Sequence, residues 1–157
     1  MKTSKPFKTW HLVSFLVIIV LAIGAGVYGS LWRKATVKIA GQQFQVLVAD
    51  NYKHFIKGLS DRKDLGNYGG MLFVFPSRTQ HAMVMRDMLF SLDIVWLSGG
   101  KVIDIAPNLP RENHGVPEDQ LKIYQARTDS DMVLEVPAGF MERTGLKVGD
   151  EIQVTKE

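Results

Sequence analysis

The chain has 157 residues, of which 46% are hydrophobic, and it contains no cysteine. This length allows one folded domain and a short additional segment, and the lack of cysteine excludes disulfides, thiolate metal sites and cysteine nucleophiles. The formal net charge is +3, but Lys2, Lys5 and Lys8 supply that excess, because the chain from Arg33 onward holds 16 basic and 16 acidic residues. A neutral domain lacks the basic face that phosphate binding requires, so we expect no nucleic-acid partner.

A long apolar segment lies close to the N-terminus. Leu12 to Leu31 contains no charged residue, and as a helix it would span about 30 Å, the hydrocarbon thickness of a bilayer. We therefore predict a basic tail at residues 1–11, a transmembrane helix at residues 12–32 and a linker at residues 33–35.

The charges beside this segment predict its orientation. The three lysines that precede it favour a cytoplasmic N-terminus, which predicts a single-pass protein of the cytoplasmic (inner) membrane with residues 36–157 on the extracytoplasmic side. We interpret the segment as an uncleaved signal anchor because the apolar run continues to Trp32. A signal peptide cleaved near Gly26 is the alternative.

The sequence of the first part of the domain predicts a hairpin and a short helix. Thr36–Ala40 and Phe44–Ala49 are β-rich runs separated by the turn sequence Gly41-Gln42-Gln43. Asp50 is a plausible N-cap for a helix from Asn51 to Lys57, which Gly58 would end in the left-handed conformation.

The middle of the domain supplies most of the predicted core. Met71–Phe75 predicts a buried strand that Pro76 ends, because proline lacks an N–H group. The alternating segment His81–Asp87 predicts extended backbone. Leu92–Leu97 and Lys101–Ile105 flank a Gly-Gly turn and predict an antiparallel hairpin.

The sequence of the last part of the domain predicts a long loop and further strands. Residues 107–120 are polar and rich in proline, as in a long functional or mobile loop. We predict strands at Lys122–Ala126, Met132–Val136 and Glu151–Thr155, and a short helix between Pro137 and Thr144. The predicted fold is mostly β, a compact antiparallel β sandwich or barrel with two short helices, preceded by the transmembrane helix.

Four groups of residues occur in a characteristic order. They are Gly58-Leu59 with Arg62; Gly70-Met71-Leu72-Phe73-Val74-Phe75; Met85 with Leu89 and Leu92-Asp93-Ile94; and Val133-Leu134-Glu135-Val136-Pro137-Ala138-Gly139 followed by Val148-Gly149-Asp150. Together they resemble the Domain of Unknown Function 192 family, from about Thr36 to Val154. The resemblance implies a compact, mostly β domain of small prokaryotic proteins that often begin with a signal peptide or membrane anchor, and it implies no established activity.

One group of polar residues suggests a binding site. Asp93 lies in an apolar run, so its carboxylate should be enclosed and require partners. Arg62 and Arg86 are the expected partners, and these two arginines with Asp87 and Asp93 are our ligand-binding candidates. Asp93 is also a weak catalytic candidate. The alternative is a structural role, in which Asp93 accepts hydrogen bonds from backbone N–H groups.

Two further hypotheses concern a metal and a second carboxylate. His81, Met83 and Met85 share a face of the predicted extended segment and could hold Cu(I), with Met88 nearby. Methionine is also ordinary core filler, so we predict no metal and no cofactor. Glu135 is predicted to face solvent on an alternating strand.

These observations predict a membrane-anchored extracytoplasmic domain that works as a ligand-binding or envelope-assembly module. Its partner would be a small molecule, a sugar or an envelope protein, and we interpret the chain as a binding module rather than an enzyme. The alternative is a hydrolase that acts on a carbohydrate or cell-envelope polymer through Asp93 and Arg62.

Overall fold

The computed structural model describes residues 9–28 and 31–157, which belong to two compact units. The first unit contains helix α1, Thr9–Tyr28, whose apolar side chains, such as Phe15 and Ile18, are largely exposed. Among the described helices, none has the length and apolar content expected of a membrane span. The second unit, Trp32–Glu157, contains the β domain.

The β domain contains nine strands, two short α-helices and one turn of 3₁₀-helix. In chain order they are β1 (Arg33–Ile39), β2 (Gln42–Ala49), α2 (Tyr52–Lys57), β3 (Gly70–Thr79), β4 (Ala82–Met83), β5 (Leu92–Ser98), β6 (Lys101–Leu109), the 3₁₀ turn (Glu118–Gln120), β7 (Tyr124–Gln125), β8 (Ser130–Pro137), α3 (Phe140–Thr144) and β9 (Ile152–Lys156). The predictions of a mostly β domain and of two short helices within it are confirmed.

Seven strands form one sheet in the order β6-β5-β8-β3-β2-β1-β9, and β4 pairs with β7 in a separate ribbon. The predicted all-antiparallel pairing is wrong at one place, because β2 and β3 run parallel. Parallel neighbours need a long crossover connection, and residues 50–69, which include α2, provide it.

The sheet curls until its two edge strands meet at one end. A bridge joins Lys101 to Glu151, and the N–H of Val102 donates to the carbonyl oxygen of Asp150 at 2.9 Å. The fold is therefore a single curled sheet, closed at one end, and is neither a sandwich of two sheets nor a full barrel.

Both predicted hairpins are confirmed. The turn between β1 and β2 is Ala40-Gly41, with φ angles of 48° and 73°, and the turn between β5 and β6 is Gly99-Gly100, with φ angles of 57° and 77°. Two consecutive left-handed residues give the turn geometry that matches the twist of antiparallel strands.

Three local predictions need correction. The N-cap of α2 is Asn51, whose side chain accepts from the N–H of His54, while Asp50 pairs with Arg33 at 2.9 Å. Strand β3 continues past Pro76 to Thr79, but its pairing with β8 is irregular beyond Val74. In the segment predicted to be extended, only Ala82–Met83 forms a strand.

The sheet carries an apolar cluster on each of its two faces. The α3 face includes Leu72, Val95 and Val136 together with Phe140 and Met141 of α3. The α2 face includes Met71, Ile94 and Val133 and is covered by Phe55 of α2 and by Met83 and Met85. All of β5, Gly70–Phe73 of β3 and Val133–Val136 of β8 are therefore buried on both sides.

Asp93 on β5 forms hydrogen bonds to the end of β6 and to the residues that follow β8. It is fully buried, and its carboxylate accepts hydrogen bonds from the N–H groups of Asn108 at 2.8 Å, Gly139 at 3.2 Å and Met141 at 2.8 Å. The structural role is thus confirmed, and the expectation that Asp93 pairs with Arg62 or Arg86 is wrong.

We predict that Asp93→Ala lowers the free energy of unfolding by about 3 to 5 kcal/mol, because it leaves buried backbone donors without an acceptor. Asp93→Asn retains one acceptor oxygen and should cost about 1 to 2 kcal/mol. Urea unfolding followed by circular dichroism measures both losses. The exposed variant Asp119→Ala is the control, and equal stability of all three variants would contradict this role for Asp93.

Candidate functional site

A cavity of about 260 Å³ lies on the α2 face of the sheet. Strands β3 and β8 supply one side of it, α2 and the residues after it supply a wall, and the segment from Ala82 to Met88 supplies the opposite wall. The lining includes three aromatic and four ionisable side chains: Phe55, Phe73, Phe75, Lys57, Arg86, Glu118 and Glu135.

Aromatic rings form much of the apolar lining. Phe73 and Phe75 are two residues apart on β3 and so point to the same face of the strand, with ring centroids 6.2 Å apart. Phe55 of α2 stacks on Phe75 at 5.0 Å. Gly58 ends α2 with φ 46°, a backbone conformation that favours glycine, and a Cβ atom there would be in ordinary contact with the Phe73 ring, at 3.5 Å.

Glu135 is a buried acid in this cavity. Only 4% of its surface is exposed, and its register partners on the neighbouring strands are Met71 and Ile94. Within the described part of the chain, its Oε2 atom has no hydrogen-bond partner. Burial raises the pKa of Glu135 to about 8, because desolvation disfavours the charged carboxylate. Glu135 is therefore mostly neutral at pH 7.

The other ionisable side chains of the lining are held in ion pairs. The guanidinium of Arg86 pairs with Glu118 of the 3₁₀ turn, and the Lys57 ammonium lies 2.7 Å from a carboxylate oxygen of Asp61. Arg86 is held further at its backbone, where its carbonyl accepts from the Ser60 hydroxyl at 2.8 Å. Its buried Nε atom has no partner among the described residues.

The four ligand-binding candidates do not converge in the cavity. Arg86 lines it, and Asp87 lines a neighbouring open depression to which Arg86 also contributes. Asp93 belongs to the opposite face of the sheet. Arg62 lies over the Trp32 ring at 5.5 Å. The sequence therefore identified one residue of the cavity among its four candidates.

Asp87 belongs to an exposed cluster with Asp61 and His114. The Nε2 atom of His114 lies 3.4 Å from Asp61 and 3.7 Å from Asp87, and one ligand atom from each residue falls within 4.8 Å of the others. A hydrogen bond from Lys57 holds the pKa of Asp61 below its usual range. Such exposed, mutually paired groups are common without an ion, so we assign no metal to them.

The residues of the copper hypothesis have structural contacts. Met83 and Met85 are buried in the cluster on the α2 face. The ring of His81 stacks on Phe75 with centroids 3.6 Å apart, and its Nε2 lies 2.9 Å from the carbonyl oxygen of Ser77. These contacts support packing roles for the three side chains.

The prediction that Glu135 faces solvent is wrong. That interpretation assumed that the sheet has one wet face, as many antiparallel sheets do, whereas β8 is covered on both faces. One sequence signal could have indicated its burial. Apart from Glu135 itself, every residue from Met132 to Pro137 is apolar, and such a nearly continuous apolar run is typical of a strand buried on both sides.

A second buried acid was also missed, but its contacts are complete. Asp104 of β6 accepts hydrogen bonds from the backbone and the side chain of Arg127, and these side-chain bonds hold the pKa of Asp104 below its usual range. This pair connects β6 to the loop before β8. Both carboxylate oxygens of Asp104 accept hydrogen bonds, whereas the Oε2 atom of Glu135 has no partner among the described residues.

The fold and the cavity define a small, mostly β domain with a partly open cavity of about 260 Å³ on one face of its sheet. Residues 35–154 match the model of the Domain of Unknown Function 192 family (DUF192), described as Uncharacterized ACR, and the chain belongs to this family. The resemblance seen in the sequence is thus confirmed. A comparison with curated proteins found no match.

Solved structures that are similar to this chain include one from Novosphingobium and one from Sinorhizobium. A protein of unknown function from Novosphingobium aromaticivorans DSM 12444 is 25% identical with a TM-score of 0.64, and the alignment covers 78% of this chain and 84% of that one. A proposed transcription regulator from Sinorhizobium meliloti 1021 is 26% identical with a TM-score of 0.65, and the alignment covers 78% and 95% of the two chains.

Glu135→Gln should make the domain more stable at neutral and alkaline pH. The folded-state pKa of about 8 lies above the ordinary value of 4.5, so the folded protein keeps a proton that the unfolded chain loses. The contribution of Glu135 to stability is complete below pH 4.5 and falls by about 1.4 kcal/mol per pH unit until about pH 8. Glutamine removes this loss, which amounts to roughly 3 kcal/mol at pH 7.

Urea unfolding of wild type and Glu135→Gln at pH 5, 7 and 8.5 measures this difference. The two proteins should differ by about 1 kcal/mol or less at pH 5 and diverge above it. Glu142→Gln, at an exposed position of α3, is the control and should follow the wild type. Parallel stability curves for Glu135→Gln and wild type would contradict the raised pKa.

Proposed function

We propose that the protein is a ligand-binding module and that its site is the cavity lined by Glu135. The observation that carries this proposal is a buried carboxyl group whose Oε2 atom has no partner in the described part of the chain, next to a cavity with an aromatic lining. Native proteins pair nearly all buried polar atoms, and a perturbed acid in a mostly apolar cavity is typical of binding and active sites.

The dimensions of the cavity favour a small molecule. Its volume of about 260 Å³ lies just below the range of about 300 to 1,000 Å³ that is usual for small-molecule sites. An envelope protein or a sugar polymer could enter only with a single side chain or one terminal group. A small ligand with an apolar body therefore fits better than a polymer.

Hydrolysis through Asp93 and Arg62 has less support. Asp93 is occupied by three backbone donors and lies on the other face of the sheet, while Arg62 is placed against an indole ring. We also do not extend the regulator role of the Sinorhizobium relative to this chain, because residues 33–157 carry no excess of positive charge.

We further propose that residues 12–32 hold the protein in the cytoplasmic membrane, with the β domain on the extracytoplasmic side. The uncharged run from Leu12 to Leu31 supports this, as does the exposure of Leu12, Phe15 and Ile18 on α1. The lysines that precede the run support the orientation.

Ligand binding is tested with three molecules that share a phenyl group and differ in the polar end: 2-phenylethylamine, 2-phenylethanol and 3-phenylpropionate. We expect at least one of them to raise the melting temperature of the full-length protein in detergent micelles, because a ligand that binds only the folded state stabilises it.

Ala82→Trp, at an exposed position of the lining, should block the cavity and abolish this shift. Gln153→Trp, at an exposed position of β9 outside the lining, is the matched control and should retain it. No shift with any molecule, or shifts that persist in Ala82→Trp, would contradict the proposal.

The membrane orientation is tested by fusing alkaline phosphatase after Glu157. Because the span should leave the C-terminus outside the cytoplasm, the fusion should be active, whereas the same fusion without residues 12–32 should be inactive. Activity that does not depend on residues 12–32 would contradict the anchor. The intact mass of the membrane-extracted protein should include Met1 or Lys2, and a start near Gly26 would indicate cleavage.

A further inference from the structure

The ionisable side chains of the cavity differ in whether they have a counter-ion. Lys57 pairs with Asp61 and Arg86 pairs with Glu118. Among the ionisable residues of this lining that the structure describes, only Glu135 has neither an ion pair nor a hydrogen bond that would stabilise its charged form. An ionised Glu135 would therefore need a positive charge that the described lining residues do not supply.

The aromatic lining suits a cation with an apolar body. Phe55, Phe73 and Phe75 line the same cavity as Glu135, and the electron-rich faces of aromatic rings attract ammonium groups, most strongly where water is excluded. Rings also provide the apolar area against which a hydrocarbon body packs. A sugar would leave most of its hydroxyl groups without partners on these rings.

We propose that the cavity binds a small organic amine with an apolar body, whose ammonium group donates hydrogen bonds to the Glu135 carboxylate. This inference rests on the proposed binding function and names its ligand class. On binding, the carboxyl group of Glu135 releases its proton to solvent and the ammonium keeps all of its protons. No covalent bond of the ligand changes.

The two alternative ligand classes fit the site less well. A carboxylate would have to lie beside Glu135, and Arg86, whose charge Glu118 already balances, would offer it only the unpartnered Nε–H group. An alcohol could hydrogen-bond to the carboxylic acid but would bring no charge. An amine supplies both the donors and the charge that Glu135 lacks.

Proton release makes the affinity depend on pH. Lys57 on α2, Arg86 on the opposite wall and Glu118 on the 3₁₀ turn are the charged groups that line the cavity with Glu135, and each of them is already in an ion pair. Because burial raises the pKa of Glu135 to about 8, we expect amine affinity to increase on the order of 50-fold between pH 6 and pH 8.

The experiment is isothermal titration calorimetry of 2-phenylethylamine into the full-length protein in detergent micelles at pH 6, 7 and 8. Each titration is repeated in two buffers with different ionisation enthalpies, which reports the number of protons released. We expect close to one proton at pH 6 and about half a proton at pH 8. The uncharged 2-phenylethanol and the anionic 3-phenylpropionate are titrated in parallel.

Two variants link the result to Glu135. Glu135→Gln preserves the shape of the side chain but cannot become a carboxylate, so it should lose about 30-fold or more in amine affinity at pH 8 and should release no proton. Glu142→Gln removes an acid from the other face of the sheet and should bind as the wild type does. Thermal unfolding confirms that each variant is folded.

The outcomes separate this inference from the proposed function. If 2-phenylethanol or 3-phenylpropionate binds in a manner that Ala82→Trp abolishes, and the amine does not bind, the amine inference is overturned and the binding function stands. Amine binding that is unchanged in Glu135→Gln, or that does not rise with pH, also overturns it. If none of the three molecules binds, both proposals fall.

Discussion

The coverage of the central strands on both faces is the constraint that most of the structure depends on. Where β3, β8 and β5 are covered on both faces, side chains cannot turn toward bulk water, so each polar residue there must find partners or lie in a cavity. Asp93 and Glu135 show both outcomes. They lie on paired strands, where Asp93 is opposite Val136 and Glu135 is opposite Ile94, and they point to opposite faces. Asp93 is surrounded by backbone donors, whereas the Oε2 atom of Glu135 has no partner among the described residues.

This difference separates structural from functional burial. A buried acid with complete hydrogen bonds stabilises the elements that it joins, as Asp93 joins β5 to the residues around α3. A buried acid without partners destabilises the folded state at neutral pH, and an apolar residue in its place would avoid that cost. Local violations of this kind in an otherwise consistent structure are typical of functional sites. The ligand-binding function proposed above would explain why an acid is kept at this position.

The sequence predicted the elements that depend on local signals. Gly41, Gly99 and Gly58 provide conformations that few other residues adopt, so the two hairpins and the end of α2 could be located. The parallel pairing of β2 with β3 could not be predicted, because it depends on contacts between residues separated by the whole α2 crossover. The burial of Glu135 was missed because alternation along β8 shows which residues share a face but not what covers that face; only the nearly continuous apolar run around Glu135 indicated a strand covered on both sides. Arg86 was identified as a site residue, but its partner Glu118 lies in a loop whose path no periodic pattern fixes.

The pairing of β1 with β9 brings the beginning and the end of the β domain side by side. Ala35 is opposite Lys156, and the N–H of Glu157 lies 3.4 Å from the carbonyl oxygen of Lys34. Domains with adjacent ends generally tolerate circular permutation, in which a short linker joins the old ends and new ends are opened in an exposed loop. Residues 110–117 form such a loop between β6 and the 3₁₀ turn. A permuted domain opened there would keep every pairing of the seven-stranded sheet, and the point of attachment to any preceding segment would move to the side on which Glu118 contacts Arg86.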